Sequence, residues 1–126
     1  MKISHTGTGN NATVNYVINA ITYSINKKIP ILNFSWGGFS YSGAFEAAIN
    51  NYKGLFVCSA GNSNLNIDLP NSYKYPAGFQ CENMITVGSI DSSGVRSSFS
   101  NYGATTVHLF APGESINSTY LYNTVV

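Results

Sequence analysis

Charge is what this sequence has least of. Only 9% of its 126 residues are Asp, Glu, Lys or Arg, and the formal net charge is +1. Nucleic acids and membrane surfaces select concentrated Lys and Arg, so this balance argues against either as the main partner. The only adjacent basic pair, Lys27-Lys28, suits a helix C-terminus instead. Cysteine is scarce as well. Cys58 and Cys81 are too few for a disulfide framework, and no metal-ligand spacing joins them. Nothing in the pattern supports a Cys58–Cys81 bond, so the redox compartment is not legible. The opening Met1-Lys2-Ile3-Ser4-His5 lacks the apolar segment of a signal peptide, and no apolar run reaches transmembrane length. Two readings follow, an intracellular protein or a piece of a longer secreted one. Gly7 and Gly9 lack the strand context and third glycine of a dinucleotide fingerprint, and no acidic ribose ligand follows. A nucleotide-binding α/β domain is thereby disfavoured.

What is present is 44% hydrophobic and 13% aromatic residues, enough for one ordinary domain with a core and unlike a disordered composition. Repeats, low-complexity tracts and linkers are absent, which places residues 1–126 in one domain. Met1–Ser4 reads as the tail of a strand. Thr13 reads as the N-cap of a helix whose apolar face is Val14, Val17, Ile18, Ile21 and Ile25, ending at Lys27-Lys28 before Pro30. Residues 29–34 form a strand. Ser42 caps a second helix with Phe45, Ala48, Ile49 and Tyr52 facing inward, and Gly54 stops it.

Residues 55–60 are a continuous apolar run, the pattern of a strand covered on both faces. The stretch 62–80, rich in Asn and broken by Pro70 and Pro76, reads as a functional or disordered loop. A strand over 84–90, a turn at Asp91-Ser92-Ser93-Gly94, an irregular segment 97–102 and a short strand 107–111 follow; residues 114–126 show no period. Alternating strands and helices imply right-handed crossovers and a mostly parallel α/β sheet flanked by helices.

In such a sheet, strands 29–34 and 55–60 end on the same rim, where ligands of open α/β sheets bind. Ser35, Trp36, Gly37 and Gly38 then lie near Ala60, Gly61 and Asn62. The first segment is extended and small enough to pair with an extended peptide. The Asn62 carboxamide can donate to an oxyanion, and Ala60 and Gly61 leave room for substrate backbone. Taken alone, Asn62 reads first as a turn residue closing a buried strand, and only the rest of the chain favours the oxyanion role. His5 lies in a loop and His108 in a strand, neither in a catalytic-base context. Asp68 and Asp91 sit in loop and turn, where Asp caps backbone.

The order Ile31-Leu32-Asn33-Phe34-Ser35-Trp36-Gly37-Gly38, Ser59-Ala60-Gly61-Asn62, Tyr75-Pro76-Ala77 resembles the subtilisin family of serine peptidases. Ile85-Thr86-Val87-Gly88-Ser89-Ile90-Asp91, Ser98-Phe99-Ser100, Ala111-Pro112-Gly113 and Ile116 with Ser118-Thr119 continue the match. The resemblance implies a three-layer, subtilisin-like fold, here incomplete, and hydrolysis of peptide bonds in extended polypeptides. It implies that Asn62 is the oxyanion-hole asparagine and that Ser35-Trp36-Gly37 pairs with substrate ahead of the scissile bond. Ala60 and Gly61 then form one wall of the pocket at the cleavage point, and Trp36 shapes a neighbouring subsite.

The family's triad runs Asp, His, Ser. Its Asp and His contexts are expected upstream of Met1, and no Gly-Thr-Ser occurs in the sequence. The chain alone is therefore expected to be inactive, and to self-associate through exposed sheet edges and helix faces. No cofactor is expected. Calcium is a possibility for a full domain, through carbonyls near Tyr75-Pro76-Ala77, and a full-length member is expected to be secreted. The alternative is a non-catalytic peptide-binding module that kept the substrate rim.

Overall fold

Residues 10–38 and 40–117 are described by the computed structural model. Their element order is α1 (Asn10–Asn26), β1 (Ile31–Phe34), α2 (Gly43–Asn51), β2 (Leu55–Ser59), β3 (Met84–Ile90) and β4 (Leu109–Pro112). The expected strand at residues 1–4, the loop holding His5, and the match at Ser118-Thr119 lie outside the described residues.

Helix α1 buries Val17, Ile21 and Ser24 and half-buries Val14, the stripe of an amphipathic helix. Two expectations are corrected. The helix begins at Asn10, so Thr13 lies inside its first turn and is not the N-cap; nothing between Asn10 and Thr13 breaks a helix. Ile25 is 36% exposed, and Ser24 is fully buried in the place expected for it. A serine is tolerated there because its hydroxyl donates to the Ala20 carbonyl at 2.9 Å. At the C-terminus, Lys28 adopts φ 53°, and the N–H groups of Lys28 and Ile29 return to the carbonyls of Ile25 and Ser24, each at 3.0 Å. That double closure satisfies the helix's last carbonyls.

Strand β1 starts at Ile31 and not at Ile29. Pro30 has no N–H to give to a ladder, although its carbonyl accepts from Leu55 N–H at 2.9 Å. Ser42 caps α2 as expected, its hydroxyl accepting from Phe45 N–H at 3.3 Å, and Phe45, Ile49 and Tyr52 are buried beneath it. Gly54 does not end that helix. Tyr52 does, turning to extended backbone as the C-cap while its phenol donates to the Ile29 carbonyl at 2.6 Å. Gly54 is required for a close approach, since a Cβ there would overlap the Pro30 carbonyl oxygen and the Tyr52 ring.

The sheet has the order β1-β2-β3-β4, every pair parallel, with Phe34 beside Cys58 and Ser59 beside Val87. The helices pack on each other and on one sheet face, where Phe56, Cys58, Met84 and Thr86 are buried. Burial pushes the Cys58 thiol up to about 11, and Cys58 and Cys81 are both free thiols. The other face is only half-covered among the described residues: burial alternates along β2 and β3, with Ile31 59% and Leu109 44% exposed. The apolar run of β2, expected to be covered twice, is thus buried on one side. Strand β4 begins at Leu109, later than the expected Val107. Ahead of it, His108 meets β3 partly through its ring, with Nδ1 accepting from Thr86 N–H at 3.0 Å.

Candidate active-site rim

Because β1 and β2 run parallel in the register of Phe34 with Cys58, their carboxyl ends leave the sheet side by side. Ser35, Trp36, Gly37 and Gly38 emerge from one strand, and Ala60, Gly61 and Asn62 from the other. The two segments face each other across a cleft of about 320 Å3 that Lys74, Tyr75, Ala77 and Asn101 also line. Every rim and wall residue anticipated from sequence, Ser35, Trp36, Gly37, Ala60, Gly61 and Asn62, lines this one cavity.

The first wall is an extension of an edge strand. β1 is outermost among the described strands, and the segment 35–38 that continues it is exposed, as pairing with another extended chain requires. Trp36 is 43% exposed, and its ring leans on Phe34 with centroids 6.4 Å apart. Phe34 in turn packs on Phe45 and Phe56, so the wall is anchored in the core. Across the cleft, Gly38 N–H donates to the Tyr75 carbonyl at 3.1 Å, fastening the wall to the long loop.

The second wall turns sharply. Ala60 N–H still bonds the Val87 carbonyl at 2.8 Å, but Gly61 adopts φ 98°, and a Cβ on it would press on the Asn101 carboxamide. Conformation and space both demand glycine at 61. Asn62 follows, exposed, and its carboxamide makes no hydrogen bond among the described residues. It also borders a second cleft of about 340 Å3 on the half-covered sheet face, lined by Asn33, Val57, Ser59, Val87 and Ala111 among others. Asn62 thus stands between the rim cleft and a second cleft of mixed lining, its carboxamide without a hydrogen-bond partner among the described residues.

The residue that sequence reading missed is Asn101. It is buried, its Oδ1 accepts from the N–H groups of Ser63 and Leu65 at 3.0 Å each, and its Nδ2 donates to the Ala60 carbonyl at 2.8 Å. Its own N–H reaches the Gly61 carbonyl at 2.9 Å. One side chain therefore closes the turn that presents Asn62. It lies 39 positions further along the chain, in a segment with no periodicity, so no local signal marks it.

Asp68 fastens the same loop further out. Its carboxylate accepts from the N–H groups of Ala104, Thr105 and Thr106 and from the Thr105 hydroxyl. Hydrogen bonds from Thr106, then from Thr105, hold its carboxyl down to about 2 against partial desolvation. A folded-state value below the unfolded one stabilises the fold above the unfolded pKa, and that stabilisation is lost as pH falls through the folded value. Melting temperature is accordingly expected to fall between about pH 4 and pH 2. An Asp68→Asn variant should be less stable at neutral pH and flatter across that window, and an equal slope in both proteins would remove the clamp from the account. Asp91 caps its own turn as expected, accepting from Ser93 and Val95 N–H.

Comparison with known proteins adds four findings. The profile of the subtilase family matches residues 1–125. Subtilisin DY of Bacillus licheniformis is 32% identical over 114 residues, covering 89% of this chain and 40% of that protein. The thermostable alkaline protease of Halalkalibacterium halodurans is 35% identical over 127 residues, 98% of this chain and 32% of that one. Among solved structures, a cold-adapted subtilisin-like serine proteinase superposes with a TM-score of 0.71 at 35% identity, covering 91% of this chain and 39% of the other. The chain spans two fifths or less of the length of these relatives.

Proposed function

This chain belongs to the subtilase family, and from that premise we propose that it is the substrate-rim portion of a serine endopeptidase acting on extended polypeptides. The observation that carries the reading is the shared cleft: an open edge-strand extension on one side, and the uncommitted Asn62 amide on the other. A peptide lying along residues 35–37 directs the carbonyl of its scissile bond toward Asn62. There the amide stabilises the negative oxygen of a tetrahedral intermediate. Ala60 and Gly61 form the wall beside the residue at the cleavage point, and Trp36 bounds an adjacent subsite.

The nucleophile and its base are not among the residues this reading assigns. Without a triad, an oxyanion donor and a binding cleft leave only a small residual rate. The 126-residue chain is therefore expected to give no turnover of a chromogenic peptide. Turnover that a serine-directed inhibitor abolishes would refute this. The half-covered sheet face, with Ile31 and Leu109 exposed, supports self-association of the isolated chain. Sedimentation is expected to show species larger than a monomer, and a monodisperse monomer would count against it. The same cleft also suits a non-catalytic peptide-binding module. That alternative predicts peptide binding with no Asp, His and Ser supplied in triad context by any flanking sequence.

A further inference from the structure

The rim cleft is walled by serine, glycine, alanine and asparagine with two aromatic residues, and a single charged residue lines it: Lys74. The acidic residues of the sequence are Glu46, Asp68, Glu82, Asp91 and Glu114, and none of them borders this cavity. Among the described residues, no carboxylate pairs with Lys74. Its backbone is fixed, because its carbonyl accepts from Gly78 N–H at 2.8 Å, next to the Tyr75 carbonyl that fastens the opposite wall through Gly38. A cation on a four-carbon stem thus stands where the two walls are tied together, in an otherwise uncharged pocket.

We infer that Lys74 selects an acidic side chain, Glu or Asp, on the substrate residue that enters this cleft between residues 35–38 and 59–61. A carboxylate there meets its only counter-charge in the cavity, whereas Lys or Arg meets a like charge partly shielded from water. Apolar side chains gain less, since the lining offers mainly small polar groups. This rests on the peptide-cleft reading above and adds the class of side chain that the cleft takes.

The test uses the chain itself and Trp36, the only tryptophan in the sequence, as the reporter. N-acetylated tetrapeptide amides differing only in the last residue (Glu, Gln, Phe or Lys) are titrated at neutral pH and low salt, with Trp36 emission recorded. The Glu peptide is expected to bind about three- to tenfold tighter than its Gln isostere, the span of a partly shielded ion pair, and the Lys peptide weakest. Lys74→Gln should erase the Glu-over-Gln difference. Lys74→Glu should bring the Lys peptide to the front, and 1 M salt should compress the series, as about 3 Å of screening length requires. Equal binding of the Glu and Gln peptides by the native chain, or a preference that survives Lys74→Gln, overturns this inference alone. Failure of every peptide to bind overturns the peptide-cleft reading and this inference with it.

Discussion

Replacing Asn62 by Ala, in a catalytically complete subtilase domain carrying this segment, is expected from its proposed role to lower kcat by about 10²–10³, the loss known for the oxyanion-hole asparagine of a subtilisin itself. KM should change little, because in the proposed role the amide meets charge that develops only in the transition state. The structure makes the experiment clean. Asn62 is exposed and engages no other described side chain or backbone group, so its truncation removes no contact that holds the fold. Melting temperature should therefore stay within a degree or two of the parent, as is usual for surface positions. A variant with kcat within threefold of the parent would leave Asn62 as a plain turn residue.

Asn101→Ala is expected to act in the opposite sense, on the fold first and on turnover through it. Truncation strands the N–H groups of Ser63 and Leu65 and the buried Ala60 carbonyl. Leaving such groups without partners costs about 1–3 kcal/mol each where water is excluded, and less at Ser63, which is exposed. A total near 3 kcal/mol corresponds to a drop of roughly 10 °C in Tm for a chain of this size. Asn101→Asp keeps both acceptor contacts but turns an oxygen toward the Ala60 carbonyl. It should recover part of the loss at low pH, where a protonated carboxyl can donate again. Thermal melts of both variants check this. An alanine variant as stable as the parent would mean that the turn presenting Asn62 is held by something else.

The two residues differ in how far they could be read from the chain. Asn62 could be singled out: an apolar strand, two small residues and a carboxamide at a strand's carboxyl end mark a turn where ligands bind, and the neighbouring Ser35-Trp36-Gly37 segment together with the family resemblance favours the oxyanion role over a plain turn. Asn101 does not, because its partners are defined only by the path of a long loop. The same contrast runs through the fold. Ser42 as a cap and the inward face of α2 were legible, since hydrogen bonding and helical period act within a few residues. Ser24 in place of Ile25 and the true role of Gly54 were not. The first depends on a back-bond to Ala20, and the second on how closely Pro30 and Tyr52 approach. The open face of β2 was misread for a related reason. A run such as Leu55-Phe56-Val57-Cys58 records what a strand tolerates, not which neighbours cover it.

By itself, then, the sequence determined the α/β class and the mostly parallel sense of the sheet, because backbone preference and apolar period are local properties, and it singled out the residues that line the rim cleft. Only the tertiary structure decided that Asn101 closes the turn presenting Asn62, that Asp68 ties the loop to residues 104–106, and that Lys74 is the single charged residue lining the cleft. Those facts depend on which distant segments meet, and a contact between segments tens of residues apart has no signature in either one alone.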